Sequence, residues 1–103
     1  LYAKKDFNCL QMEQIRLGLK KNLNVLLYAN PDFNPDQMKE LRYGIKRGLD
    51  ASIYAKKDFN WRQMEEIRLG LKNNLDVSLY ANSEISWQEM KEIRLKLQKE
   101  STL

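Results

Sequence analysis

There is no histidine in this chain, and cysteine occurs once, at Cys9. The first absence removes the commonest general base and the commonest metal ligand. The second excludes an internal disulfide, and one cysteine says little about redox compartment. No apolar run approaches the length of a membrane span, and the chain does not open on a signal-peptide pattern. Phosphate loops, paired Cys-x-x-Cys motifs and nucleophile elbows are missing as well. Nothing alternates with period two for long enough to suggest strands. These gaps point to a chain that is not an enzyme, holds no cofactor or metal and does not enter a membrane; they leave the compartment open, with the cytoplasm favoured.

What is there suits a folded domain. The 103 residues are 43% hydrophobic and 31% charged, which fits one modest core rather than a disordered chain. The net charge of +4 is unevenly placed. Residues 1–26 carry five basic and two acidic side chains, whereas 27–52 carry four of each. The basic excess therefore sits mainly at the start and is not a stripe along the chain.

The dominant feature is self-similarity. Tyr2, Tyr28, Tyr54 and Tyr80 each precede an alanine and fall every 26 residues. The copies are 1–26, 27–52, 53–78 and 79–103, within one domain spanning 1–103. A period of this size marks a repeat array, whose units bury their apolar faces on one another. The reading is an all-α helical-repeat solenoid of four units, right-handed or nearly flat, each unit a long helix plus a short one. The chain begins at Leu1, inside a repeat, and reads as the C-terminal part of a longer protein.

The start signals of the long helix are unusually complete. In the third copy Asn60 is the N-cap and Gln63 closes a capping box, with Phe59 and Met64 at the spacing of a hydrophobic staple. Phe7, Asn8, Gln11 and Met12 repeat it, as do Phe33, Asn34, Gln37 and Met38. The fourth copy uses Ile85, Ser86, Glu89 and Met90. Met64, Ile67, Leu71 and Leu75 recur at helical spacing and form the inner face. Gly48 and Asn74 stand where a helix end favours a left-handed residue. Asp50 and Asp76 then cap a short helix such as Val77–Ala81. Gly18, Gly44 and Gly70 lie inside their helices, where glycine costs about 1 kcal/mol against alanine. Three such costs imply close approach by the next repeat. Lys96 takes that position in the last copy, and residues 99–103 replace the Leu-Asp-Val-Ser turn, as in a polar terminal cap. That places Leu103 at or near the natural end.

Several positions invite a functional reading. Arg16, Arg42, Arg68 and Arg94 form either a guanidinium row for acidic ligands or an internal ladder with Asp6, Asp32, Asp58 and Glu84. The ladder is favoured. The tyrosines are either a stacking row for bases or sugars or core, with core favoured. Leu17, Tyr43, Leu69 and Leu95 are inter-repeat contacts or an exposed ridge. Trp61 and Trp87 occupy a position that is Cys9 and Pro35 elsewhere, so the fold does not demand tryptophan there. Tryptophan is enriched at binding hot spots, and packing against the preceding short helix explains the pair equally well. Leu10 is apolar where the other copies have Asp36, Arg62 and Gln88. With Cys9 it marks an edge covered by a preceding repeat, another domain or a partner, and a route to oligomers through the first repeat. Trp61, Trp87, Cys9 and Leu10 are thus the candidate partner-binding residues. The alternative is a nucleic-acid interface through Lys4, Lys5, Lys20, Lys21, Lys56 and Lys57, which requires these lysines to share a face.

The string from Tyr54 to Ser78, YAKKDFNWRQMEEIRLGLKNNLDVS, resembles short helical repeats of uncharacterised proteins of gut Firmicutes and their phages or conjugative elements. The IRLGL and LDVS-x-YA segments carry the resemblance, which spans essentially the whole chain. It implies a repeat module attached to a larger protein and no particular activity. The expected partner is a protein or an upstream domain of the same chain, with nucleic acid as the alternative.

Overall fold

The computed structural model describes residues 6–101. The fold is all-α. Among the described residues, α1 (Cys9–Lys20), α2 (Pro35–Lys46), α3 (Trp61–Lys72) and α4 (Trp87–Ser101) alternate with 3-10 turns at Val25–Leu27, Ala51–Ile53 and Val77–Leu79, and there is no strand. Each α-helix packs on the next in chain order, in a flat body of 49 × 27 × 16 Å. The expected short helix is therefore a single 3-10 turn, Val77–Leu79, capped by Asp76 as anticipated.

The helix starts follow from side chains that satisfy orphan backbone N–H groups. Asn8, Asn34 and Asn60 each accept from the N–H of Gln11, Gln37 and Gln63 at 2.8 Å. The glutamines return the bond to the asparagine N–H groups at 2.8–2.9 Å. At α4 the Ser86 hydroxyl caps the Glu89 N–H at 3.2 Å. The first three helices end on Asn22 (φ 59), Gly48 (φ 74) and Asn74 (φ 59). Just beyond, the N–H groups of Leu23, Leu49 and Leu75 return to the carbonyls of Gly18, Gly44 and Gly70 at 2.9 Å. This is the left-handed closure that stops a helix and turns the chain. The fourth copy lacks it, and α4 runs on for 15 residues to Ser101.

The glycines inside the helices are windows onto the backbone. Tyr28, Tyr54 and Tyr80 are fully buried, and their hydroxyls donate to the main-chain carbonyls of Gln14, Glu40 and Glu66 at 2.7 Å. Each carbonyl lies four residues before a glycine, on the same helix face. A Cβ at Gly18, Gly44 or Gly70 would stand 2.0–2.1 Å from the tyrosine oxygen. The glycine face thus meets the connection leading into the next helix. Lys96 stands at the equivalent, tenth position of α4 and is exposed. Burial pushes the Tyr54 and Tyr80 hydroxyls above their ordinary value and keeps them donors. These three tyrosines are core and present no stacking row; Tyr2 lies outside the described residues.

Candidate interaction surface

The contacts between helices fix their relative direction. Gln11, third in α1, donates through Nε2 to the carbonyls of Pro31 (3.2 Å) and Phe33 (2.7 Å), just ahead of α2. Gln37 does the same to Lys57 and Phe59, and Gln63 to Ser83 and Ile85. Farther along, Arg42 of α2 reaches Gln14 of α1. Helix starts therefore lie against starts, and the α-helices run parallel. The body has one edge made of helix starts and another made of helix ends, about 18 Å apart for a 12-residue helix.

These glutamines do two jobs. Oε1 closes the cap of its own helix, while Nε2 ties down the backbone of the next repeat. An amide is required, since a carboxylate has no proton to donate. The sequence carried the signal: glutamine in three copies and glutamate only at Glu89 of the fourth.

The start edge carries Trp61 and Trp87, which are largely but not wholly buried. The Arg62 guanidinium lies 4.9 Å from both indole rings. That distance is within the range of a favourable cation–π contact, and it joins two neighbouring helices into one aromatic–cationic cluster. Cys9 and Leu10 belong to the same edge, Cys9 exposed and Leu10 59% exposed. They lie two helices away, about 20 Å at ordinary helix spacing, so they do not join the tryptophan cluster.

The arginines form an internal ladder, but not with the acids expected from the sequence. Arg68 Nε donates to Glu40 and Arg94 Nε to Glu66, each at 2.8 Å, and Arg42 Nε donates to Gln14 at 2.9 Å. The partners are 28 residues back, at the sixth position of the preceding helix. Asp6, Asp32, Asp58 and Glu84 instead stand exposed on the connections. Glu40 shows what the burial costs: its carboxyl is pushed above the usual carboxylate range, because desolvation outweighs the hydrogen bond from Arg68. Arg16, on the first of the described helices, is exposed.

The end edge gathers cations. Lys20, Lys21, Lys46, Arg47 and Lys72 cluster at the last turns of three parallel helices and are exposed. Between α2 and α3, Tyr43, Lys46, Arg47 and Arg68 line an open groove. Arg42 and Arg68 lie 5.1 and 5.5 Å from the Tyr43 ring, and Lys39 lies 5.8 Å from it. Tyr43, Leu17 and Leu69 are partly buried, whereas Leu95 is 48% exposed, as expected of contacts beneath a following helix.

The six lysines of the nucleic-acid alternative do not all fall together. Lys20 and Lys21 are on the end edge. The Lys57 carbonyl accepts from Gln37 near the start of α2, which puts Lys56 and Lys57 on the start edge. Lys4 and Lys5 lie outside the described residues. Among the described residues no group of His, Cys, Asp or Glu is placed to hold a metal ion, and no helix is long and apolar enough to cross a membrane. No protein-family model, curated protein or solved structure matches this chain.

Proposed function

We propose that this chain is a non-catalytic helical-repeat module, a solenoid of four units, for protein–protein interaction or scaffolding in the cytoplasm. The observation that carries the reading is the Trp61–Arg62–Trp87 cluster. Its tryptophans occupy positions that the same fold fills with Cys9 and Pro35, so they are not demanded by packing. Two large aromatic rings bridged by a guanidinium are the residue types that dominate binding hot spots. The relation to repeats of gut Firmicutes and their mobile elements belongs to the same proposal. Replacing both tryptophans with alanine is expected to cost about 2–4 kcal/mol, at about 1–2 kcal/mol for each partly covered ring. Circular dichroism at 222 nm should still show a folded helical protein at 25 °C. An unfolded double variant would make the tryptophans core and remove the basis of the reading.

A second reading, a nucleic-acid-binding accessory module, is favoured by the end edge. There five cations from three helices flank an aromatic groove. It shares only Lys20 and Lys21 with the set expected from the sequence. Anisotropy of labelled single- and double-stranded DNA and RNA, titrated at low and physiological salt, tests it. Binding that weakens steeply with salt, and that is lost in K46E/R47E, favours this reading. Absence of binding at low salt rejects it.

A further inference from the structure

Three helices meet their predecessors through one set of contacts. Met38, Met64 and Met90 are fully buried, and Arg42, Arg68 and Arg94 each bind the sixth residue of the helix before. Ile45, Leu71 and Leu97 complete the stripe and are partly buried. The first helix carries the same residues, Met12, Arg16 and Leu19, on one face at helical spacing. Met12 is only partly buried, Arg16 is exposed with no partner among the described residues, and Leu19 is 45% exposed. Leu10 lies on the opposite side of the helix by the same spacing, so it is not part of this stripe.

We propose that this face of α1 is a docking site for one further helix-and-turn unit of the α1–α3 type. The occupant is an amphipathic helix with glutamine or glutamate at its sixth position, to accept from Arg16, and glycine at its tenth. The argument is complementarity repeated three times within the molecule. The glutamine or glutamate requirement follows from Gln14, Glu40 and Glu66, and the glycine requirement from the tyrosine hydroxyl seated against Gly18, Gly44 and Gly70. A second copy of this chain would offer α4, whose tenth residue is Lys96 and whose helix continues to Ser101 where the others turn. That end lacks the glycine and the turn, so it does not match. The proposal rests on the interaction-module reading and names a partner for a face separate from the tryptophan cluster.

The test is an extended chain in which a second copy of residues 53–78 precedes Leu1, which keeps the 26-residue register. The extended chain should melt higher than the original by roughly 5 °C or more. R16A should be nearly silent in the original chain, where Arg16 is exposed. In the extended chain it should lower the melting temperature by several degrees. No gain on extension, or R16A silent in both contexts, overturns the proposal. Sedimentation of the original chain at rising concentration should show a monomer. Self-association abolished by E92K would make the occupant a second copy and also overturn it. Either failure leaves the tryptophan-cluster reading standing, because that is judged on separate variants.

Discussion

Gly44→Ala separates local propensity from tertiary fit. In an isolated helix the change is favourable by about 1 kcal/mol. Here the new Cβ would lie 2.0 Å from the Tyr54 hydroxyl oxygen and 3.1 Å from Cζ, while Ala51 at 3.4 Å is ordinary contact. The ring is fully buried and cannot swing into solvent without opening the core. Overpacking of this kind costs about 1–3 kcal/mol. Displacing the hydroxyl also breaks its 2.7 Å bond to the Glu40 carbonyl, at about 1–3 kcal/mol for a stranded buried donor. Subtracting the propensity gain leaves a net loss of about 1–5 kcal/mol. For a chain of this size that lowers the melting temperature by roughly 4–40 °C. Thermal and urea melts at 222 nm measure it. Tyr54→Phe supplies the cycle, because removing the oxygen removes the worst clash. The double variant should be more stable than the sum of the single losses predicts, by about 1 kcal/mol or more. An alanine variant as stable as the parent, or strictly additive losses, would refute the window argument.

Two further perturbations follow from the inter-helix contacts. Gln63→Glu should cost about 2–4 kcal/mol, since the carboxylate still caps α3 but faces the Ser83 and Ile85 carbonyls without a proton; an unchanged urea midpoint would count against the dual role. Glu40→Gln should change stability at pH 7 by less than about 1 kcal/mol, because Gln14 already serves Arg42 in the equivalent place. The same substitution tests the raised Glu40 carboxyl. A native carboxyl that holds its proton more tightly than the unfolded chain favours folding at low pH. That contribution is lost as pH rises from the unfolded value through the native one. Urea midpoints across that window should therefore fall less steeply in the glutamine variant; identical slopes would show that Glu40 does not contribute.

Much of the fold was legible because its determinants are local. Asn60 with Gln63, Asn74 at φ 59 and Asp76 ahead of its turn act within a few residues, so spacing alone exposes them. The tenth-position glycines announced a close neighbour through a cost that only tertiary contact explains. Burial of Tyr28, Tyr54 and Tyr80 agrees with the core reading of their regularity. The arginine partners were misread because a 26-residue repeat makes every acid equally regular. Only the helix direction brings residue 40 to residue 68 and leaves Asp32 and Asp58 on the connections. The second role of Gln11, Gln37 and Gln63 left only the Gln-to-Glu change at Glu89 as a sign, because its backbone partners depend on the helix direction.

The sequence by itself determined that the fold is all-α, where each long helix begins and how the first three end. Those outcomes depend on backbone groups that must find partners within a turn of the chain. Only the tertiary structure decided which surfaces exist. Parallel stacking separates the lysine pairs onto two edges, and it gathers Trp61, Trp87 and Arg62 from adjacent helices into one cluster. It also leaves Arg16 and Leu19 exposed and Met12 only partly buried, while Met38, Arg42 and Ile45 one repeat later are more covered. Identical local sequence has a different environment at each place in the array, because burial depends on which neighbour is present.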